Sequence, residues 1–271
     1  MKLRNLIDQI EKKHFFLSTP LRIVSLVPSQ TELLFDLGLE ANIIGITKFC
    51  VHPNRFLKEK EKVGGTKNPN FEKIRALNPD IIICNKEENT KEIIEKCGEI
   101  CTTWTTNIIS IEDNFKMISD FGKIFNKEAE AQSLNAKIQT ALLSFRSFIQ
   151  NKKTKRVAYF IWKNPFMVVG SNNYINEMLK LNKFENVFEK NNFESNRYPE
   201  ISLTQLQKQD LDLIFLSSEP YPFKEKDFLD FTNLPTSKIK IIDGEMFSWH
   251  GSRILLAFGY FRQLHATIEA I

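Results

Sequence analysis

Short apolar runs alternate with amphipathic stretches through the first half of the chain. The runs "RIVSLV", "NIIGIT", "DIIIC" and "EICTTWT" have the length and composition of buried strands. Between them, "ELLFDLG", "NFEKIRALN" and "NTKEIIEKCG" repeat their apolar residues with a helical period. Strands and helices that alternate in this way predict a parallel sheet with right-handed crossovers. The stretch "PSQTE" predicts a capping box at the first helix, with Ser29 as the N-cap and Glu32 three residues later.

The second half of the chain repeats the first. It opens with the strand-like run "RVAYFIW", and "LTQLQKQDLDLIFLS" further on matches "FEKIRALNPDIIICN" in its apolar positions. The matched pairs are Leu203 with Phe71, Leu206 with Ile74, Asp212 with Asp80, and Arg156 with Arg22. The first three pairs share an offset of 132 residues and the last has 134, which indicates two related α/β lobes.

A segment without proline or glycine separates the two halves. In "NKEAEAQSLNAKIQTALLSFRSFIQNKKTK" the apolar residues recur at three and four, which predicts one long helix over about residues 127 to 150. We therefore predict an α/β fold of two Rossmann-like lobes with parallel sheets, joined by one long backbone helix, with a ligand cleft between the lobes. The expected N-terminal lobe spans residues 1–123, the connecting helix 124–152 and the C-terminal lobe 153–271.

The composition is that of an ordinary globular protein. Of the 271 residues, 42% are hydrophobic and 26% are charged, and the net charge is only +4. Lysines stand beside acids, as in "KEKEKV", so a solvated surface is favoured over a face for nucleic acid. The N-terminal stretch lacks the apolar core of a signal peptide, and no apolar run reaches the roughly 18 residues of a membrane span. Taken by itself, this pattern indicates a cytoplasmic protein.

The loops that follow the predicted strands carry flat side chains. Because ligands bind at the carboxyl ends of parallel strands, we expect these loops to line the ligand cleft. Trp162, Tyr198 and Trp249 each stand next to a polar residue or a proline, where amphipathic rings suit a large ligand. Lys67 lies in another such loop, "GGTKNPN". His250 is predicted to face the ligand as a lower axial donor to a metal already inside a cofactor.

The segment "SWHG" leads into the last helix. Gly251 is predicted to turn the chain sharply, and Ser252 to cap the helix that follows. Trp249 is expected to present its ring to the ligand. On this interpretation, Trp249→Ala weakens ligand binding and leaves the melting temperature nearly unchanged.

The sequence carries no clear signal of catalysis. It has no G-x-G-x-x-G or G-x-S-x-G motif, and "KVGGTK" lacks the spacing of a P-loop. Cys50, His52 and His250 form at most a weak metal pattern without a fourth ligand, and Cys84 is predicted to be a buried core thiol. These observations predict a binding protein that is not an enzyme and has neither an intrinsic cofactor nor a disulfide framework.

Several motifs together resemble a known family. "RIVSLVPSQTELLFDLGL", "VGGTKNPNFEKIRALNPDIII", "NPFMVVGSNNYINEMLKLNKFENVF" and "SRILLA" resemble the cobalamin- and siderophore-binding proteins of bacterial ABC importers, and the cobalamin binders most. The resemblance implies a monomeric substrate-binding component whose ligand is a large metal chelate: cobalamin, haem or a ferric siderophore. It also implies a permease partner and a periplasmic location, in conflict with the N-terminal sequence.

The resemblance also assigns ligand contacts. Phe49 stands where an aromatic ring flanks the corrin, and Tyr198 stands at the matching aromatic position of the second lobe. Thr66 occupies a position that is tryptophan in the cobalamin binder. Glu245 and Trp249 lie where an aspartate and an arginine of that binder contact the ligand. These differences keep an aromatic and polar cleft but leave the choice of ligand open.

Importers of this kind carry one exposed acid on each lobe, which grips arginine residues of the permease. Glu72 fits the first position, whereas Thr204 stands at the second, with Glu200 nearby.

Two other functions stay open. The chain is alternatively a cytosolic corrinoid or haem carrier that reuses the fold, which differs in location, or a metal-cluster enzyme of similar two-lobed fold, which needs cluster cysteines or paired acids.

Overall fold

The structure, a computed structural model, describes residues 4–189, 197–231 and 235–269. The chain divides into two compact units. Unit 1 contains Met1–Gln139 together with His250–Arg253, and unit 2 contains Thr140–Trp249 and Ile254–Ile271. The division falls inside the long helix, which is predicted from the sequence as a connecting segment of its own.

Unit 1 contains a hairpin and a parallel sheet. Its strands are β1 (Arg4–Ile7), β2 (Lys13–Phe16), β3 (Ile23–Ser25), β4 (Ile43–Ile46), β5 (Glu61–Lys62), β6 (Ile81–Asn85) and β7 (Thr102–Thr106). The last five form a parallel sheet in the order β5-β4-β3-β6-β7. The helices are α1 (Pro28–Asp36), α2 (Phe56–Glu59), α3 (Phe71–Ala76), α4 (Lys91–Gly98) and α5 (Ile111–Phe125). The predicted order of strands and helices is confirmed, while β5 and the hairpin are additional.

The central strands of unit 1 are buried along their whole length. All residues of β3 and β6 are covered, as expected for a parallel sheet with helices on both faces. One side of this sheet packs Val24, Ile82 and Cys84 against Ile93 and Cys97 of α4. The prediction that Cys84 is a core thiol is therefore confirmed.

The hairpin of β1 and β2 packs on strand β7 through a buried polar pair. The Nε2 atom of His14 lies 2.9 Å from Oδ2 of Asp8, and the exposed fractions of these residues are 5% and 2%. The His14 ring lies 5.1 Å from the ring of Trp104 on β7. The amide of Thr105 donates to the same Asp8 carboxylate at 3.3 Å, so the hairpin is anchored to the edge of the sheet.

Unit 2 contains a second, mostly parallel sheet. Its strands are β8 (Lys155–Trp162), β9 (Met167–Val168), β10 (Phe184–Asn186), β11 (Leu213–Ser217) and β12 (Ile239–Ile242). The parallel order is β10-β8-β11-β12, and β9 pairs antiparallel with β8. The helices are α7 (Tyr174–Leu181), α8 (Leu203–Gln207), α9 (Gly244–Ser248) and α10 (Ile254–Glu269), and two 3-10 helices span Glu225–Phe231 and Thr236–Lys238. The predicted α/β class with two parallel sheets is confirmed.

The long helix α6 spans Glu128–Ile149 without interruption, as the sequence predicts. Its first part packs on α5 within unit 1, where a Cβ added at Gly122 would lie 2.7 Å from Cβ of Ala131. Its last part packs on α10 within unit 2, where the ring centroids of Phe145 and Phe258 are 5.5 Å apart. No helix in the described ranges is both long and apolar enough to cross a membrane.

The two units repeat one structural detail that the sequence match indicates. In unit 1, the Asp80 carboxylate accepts the backbone N–H of Arg22 at 2.9 Å, and the Asp80 N–H donates to the Arg22 carbonyl. In unit 2, Asp212 makes the same two hydrogen bonds with Arg156, at 2.7 and 2.9 Å. Each aspartate therefore joins the start of one strand to the start of its neighbour, which explains why the matched positions coincide.

The predicted capping box at α1 is wrong. The helix begins at Pro28, and its N-cap Val27 makes no side-chain capping bond. Proline is favoured at the first helical position, so the helix starts before Ser29 and not after it. Glu32 pairs instead with Arg253. The described residues do contain capping boxes, at the start of α5 and of α8.

Candidate functional site

Phe49 lies on an exposed loop at the carboxyl end of β4. Its ring is 49% exposed. The Thr47 hydroxyl oxygen accepts the Phe49 backbone N–H at 3.3 Å, which fixes the turn that carries the ring. A Cβ added at Gly65 would lie 3.2 Å from Cε2 of Phe49, so one edge of the ring rests on the backbone of the next loop. The Lys48 ammonium lies 5.0 Å from the centroid of the same ring, and the rest of the exposed ring can meet a ligand.

Two neighbouring loops of unit 1 are joined by hydrogen bonds beside Phe49. The side-chain amide of Asn89 donates to the Thr66 carbonyl at 2.9 Å, and its Oδ1 accepts the N–H of Asn85. The Lys67 ammonium donates to the Glu87 carbonyl at 2.5 Å. Thr66 is buried and Lys67 is exposed. The loops after β5 and β6 therefore form one continuous surface, which we call the unit 1 platform: residues 64–69 and 85–89.

Glu88 belongs to the platform, although no sequence pattern marks it as a site residue. Its side chain is partly buried and makes a hydrogen bond with the Thr66 hydroxyl. Burial raises the pKa of the Glu88 carboxyl above its ordinary value, although the charge of Lys67 opposes this shift. The segment "NKEEN" has the composition of a solvated charged loop. The burial of Glu88 therefore cannot be predicted from the local sequence.

His250 is buried inside unit 1. Only 7% of the residue is exposed, and Nδ1 lies 3.4 Å from the Ser29 hydroxyl at the start of α1. Burial lowers its pKa to about 3, so the imidazole is neutral at physiological pH. A neutral imidazole retains a lone pair for a metal, but this ring is largely covered. Its predicted contact with a ligand metal stays a prediction.

Gly251 fixes the segment that carries His250. Its φ of 94° confirms the predicted sharp turn, because this backbone region favours glycine. Its N–H donates to Oδ1 of Asn114 at 2.6 Å, and the Asn114 amide donates back to the Gly251 carbonyl at 3.2 Å. The predicted cap by Ser252 is wrong, because α10 begins at Ile254 and the buried Ser252 hydroxyl has no hydrogen-bond partner in the described residues.

Trp162 ends strand β8 and is 39% exposed. Its ring meets Tyr221 edge-on, with 5.9 Å between the centroids. Tyr221 lies in the loop that follows β11, so two aromatic side chains stand together at the carboxyl ends of neighbouring strands. Trp162 thus meets the geometric requirement for a ligand contact at the open edge of this sheet.

Trp249 differs from the sequence-based expectation. It is only 8% exposed, and its indole Nε1 donates to Oε1 of Glu219 at 3.0 Å. The same carboxylate oxygen accepts the Ser248 hydroxyl at 2.6 Å. The ring therefore does not present an open stacking face, and the expectation that Trp249→Ala leaves stability unchanged no longer holds. A contact from its remaining exposed edge stays a prediction.

Glu245 and Tyr198 are partly buried positions of unit 2. Glu245 lies in the first turn of α9, where its N–H donates to the N-cap carboxylate of Asp243 at 3.0 Å. Tyr198 lies in a segment held beside β9, since the N–H of Val168 donates to the Pro199 carbonyl at 3.0 Å. Glu245 lies shortly after the end of β12, whereas Tyr198 lies in the long connection between β10 and β11. The ligand contacts of both residues stay predictions.

The described part of the chain has no group of three or more histidine, cysteine, aspartate or glutamate side chains arranged to hold a metal ion. The Cys50 sulfur instead lies 3.1 Å from the Thr31 hydroxyl and 3.2 Å from the Thr47 hydroxyl. Burial raises the pKa of this thiol, which disfavours the thiolate that a metal would need. A metal held by Cys50, His52 and His250 is therefore not supported.

Comparisons with known proteins agree with this geometry. A family model described as periplasmic binding protein matches residues 23–233. The vitamin B12-binding protein of Vibrio vulnificus (strain CMCP6) is 28% identical over 201 residues, which cover 72% of this chain and 71% of that protein. The crystal structure of the periplasmic vitamin B12 binding protein BtuF of Vibrio cholerae has a TM-score of 0.78 at 18% identity and covers 93% of this chain and 97% of its own. The periplasmic heme-binding protein RhuT from Roseiflexus sp. RS-1 has a TM-score of 0.78 at 17% identity and covers 92% and 98%.

These matches define a transport protein with a two-unit α/β fold that takes up a small-molecule ligand. The chain belongs to the periplasmic binding protein family. It is a substrate-binding component of the ABC-importer type and not an enzyme, as the sequence predicts. The cytoplasmic location expected from the N-terminal stretch is not supported, whereas the periplasmic alternative fits the family.

Proposed function

We propose that this chain binds a corrinoid for an ABC importer in the periplasm. The single observation that carries the proposal concerns aromatic exposure. Among the described residues, three phenylalanine, tyrosine or tryptophan side chains are exposed: Phe15, Phe49 and Trp162. Two of these stand at the carboxyl ends of parallel strands, one in each unit. Half-open rings at such positions suit a large flat ligand.

The relatives support the same ligand class. The vitamin B12-binding protein of Vibrio vulnificus aligns with most of the chain, and its name states the ligand that it binds. The fold is shared with heme-binding proteins, so haem and ferric siderophores are the competing ligands. Corrinoids and haem both offer a wide ring face, and the choice between them depends on the polar groups around that face.

The test is a set of absorbance titrations with cyanocobalamin, haemin and a ferric siderophore. Wild-type protein should bind cyanocobalamin the most tightly of the three. Phe49→Ala and Trp162→Ala should each weaken that binding by about tenfold to a hundredfold, by analogy with other aromatic stacking contacts. The matched control is Phe15→Ala, which removes a ring from the hairpin at a residue that is 65% exposed. It should leave the affinity unchanged.

The titrations separate the outcomes. Equal losses in all three variants would show that the rings act through general properties of the surface and not as ligand contacts. Preferential binding of haemin or of the siderophore would overturn the corrinoid proposal and retain the family function. Melting temperatures of the three variants should stay close to wild type, because each ring is at least 39% exposed.

We also propose that Glu72 contacts the permease. Its side chain is 86% exposed in the first turn of α3, and its partner in the structure is Arg75, at 2.9 Å. An exposed ion pair contributes little to stability, so the carboxylate can exchange this arginine for one of another protein. The equivalent helix α8 presents the exposed Thr204 instead, so unit 2 lacks this acid at the matching position.

Glu72→Lys tests the docking proposal in a transport assay with the intact importer. The variant should bind cyanocobalamin as wild type does and deliver it several-fold more slowly. Glu95→Lys is the matched control, since Glu95 is also exposed in unit 1. Equal delivery by wild type and both variants would remove Glu72 from the interface.

A further inference from the structure

The unit 1 platform places a charged group beside the surface that Phe49 opens to a ligand. The chain of contacts is short. The Phe49 ring rests on Gly65, Thr66 follows directly, and the Thr66 hydroxyl makes a hydrogen bond with the carboxyl of Glu88. Any ligand that covers the Phe49 ring therefore brings its rim toward this carboxyl.

Charged groups of both signs surround Glu88. The charged groups near it are Lys67 and Glu87, and the neutral groups are the Thr66 hydroxyl and the buried Cys50 thiol. The Lys67 ammonium already donates to the Glu87 carbonyl. The platform also contains Lys86, and the Lys48 ammonium lies 5.0 Å from the centroid of the Phe49 ring, so an ionised Glu88 acts on a ligand through the short-range charge of its own carboxylate.

This charge distinguishes the two leading ligand classes by their rims. The rim of a corrinoid carries primary amides, whose N–H groups donate to a carboxylate. The rim of haem carries two propionates, which a carboxylate repels. Placing like charges together at an interface is strongly unfavourable, whereas an amide N–H to a carboxylate is a charge-assisted hydrogen bond.

We propose that Glu88 selects for neutral, amide-bearing ligands and against ligands that carry a carboxylate at the same position. This inference rests on the proposed corrinoid function and adds a specificity-determining residue to it. Glu88 acts on the rim of the ligand, while Phe49 and Trp162 act on the ring face. Loss of Glu88 therefore changes which ligand is preferred more than it changes the strength of stacking.

The experiment compares two forms of one ligand. The probes are cyanocobalamin and the monocarboxylic acid that results when one of its rim propionamides is hydrolysed, with each positional isomer titrated separately. Wild-type protein should favour the amide over at least one acid isomer by about tenfold or more. Glu88→Gln keeps the size of the side chain and removes its charge, so the preference should fall to within about threefold. The matched control is Glu95→Gln, an exposed acid on α4, which should keep the wild-type preference.

A second measurement needs no variant. Burial raises the pKa of Glu88, so its negative charge is lost before that of an exposed carboxylate as the pH falls. As the pH is lowered, the wild-type preference should therefore decrease before the acid probe itself is protonated, and the preference of Glu88→Gln should not. The Cys50 thiol does not contribute a charge to this change, because burial raises its pKa.

The outcomes are distinguishable. Cyanocobalamin binding with the same preference in wild type and Glu88→Gln would overturn the role of Glu88 and leave the proposed function intact. Failure of wild-type protein to bind cyanocobalamin would overturn the proposed function and this inference with it. Tighter binding of haemin than of cyanocobalamin by wild type would also overturn the inference, since haemin carries the carboxylates that Glu88 should reject.

Discussion

The guanidinium of Arg253 donates two hydrogen bonds, of 2.8 and 2.7 Å, to the carboxylate of Glu32. The two residues are 221 positions apart in the chain and belong to the same compact unit. The exposed fractions of their side chains are 5% and 14%. This bidentate, desolvated pair anchors the segment His250–Arg253 on helix α1, next to the contact between His250 and Ser29.

Removal of Arg253 should therefore destabilise the protein strongly. Arg253→Met leaves the Glu32 carboxylate buried without its partner, which costs about 3–5 kcal/mol when a buried pair is broken from one side. Urea unfolding followed by circular dichroism measures this loss. Arg253→Met combined with Glu32→Leu should recover much of it, because the double variant leaves no uncompensated charge.

The exposed pair Arg75–Glu72 provides the control. Its side chains are 46% and 86% exposed, with a separation of 2.9 Å between charged atoms. Arg75→Met should cost less than about 1 kcal/mol, since solvent screens such pairs. Similar losses in Arg253→Met and Arg75→Met would show that burial of the Arg253 pair has no energetic consequence.

Most of the fold follows from local sequence patterns. The apolar runs at β3, β4 and β6 are continuous, and the long helix α6 has a clear three-and-four period without glycine or proline. These features depend on neighbouring residues, which the sequence displays directly. The hairpin and β5 were not predicted, because strands of two to four residues carry too few positions to establish a period.

The candidate site was predicted less completely, for a different reason. Exposed rings such as Phe49 and Trp162 follow strand ends, so their place in the topology identifies them. The burial of Trp249 depends on its contact with Glu219, thirty positions earlier, and the burial of Glu88 depends on the loop that contains Thr66. Local sequence patterns do not predict such long-range contacts.

Trp249 should contribute to stability, contrary to the sequence-based expectation. Trp249→Ala removes a ring that is 92% covered and leaves the Glu219 carboxylate without one of its donors. Truncation of a buried tryptophan costs about 3–5 kcal/mol. Thermal unfolding should show a clear decrease in the melting temperature. Trp162→Ala, at a ring that is 39% exposed, should cost about 1 kcal/mol or less. A melting temperature for Trp249→Ala equal to that of wild type would restore the original expectation.

His250 should make the stability depend on pH. Burial lowers its folded-state pKa to about 3, below the ordinary value of 6.5. Between these two values the unfolded chain binds a proton at this residue and the folded chain does not, so stability falls as the pH is lowered. The slope from this one group approaches about 1.4 kcal/mol per pH unit well below pH 6.5.

His250→Gln removes that titration and retains a polar side chain. Urea unfolding at several values between about pH 7 and about pH 5 should show a smaller loss of stability in the variant than in wild type. The pH dependence of stability should also be measured for His265→Gln, because burial also lowers the pKa of His265. Parallel pH profiles for wild type and His250→Gln would mean that the imidazole is accessible to protons in the folded state.

Two glycines of unit 2 should respond to alanine in opposite directions. A Cβ at Gly244 would lie 2.4 Å from the Ser217 hydroxyl oxygen and 2.6 Å from Cγ of Glu219. Glu219 cannot shift easily, because it accepts hydrogen bonds from Ser248 and Trp249. Gly244→Ala should therefore destabilise the protein by about 1–3 kcal/mol, the usual cost of overpacking.

Gly259 lies on the exposed side of α10 and has nothing within 4 Å of the added Cβ. Gly259→Ala should stabilise the protein by about 0.5–1 kcal/mol through helix propensity alone. Urea midpoints that move in the same direction for both variants would contradict the close packing of α9 against the end of β11.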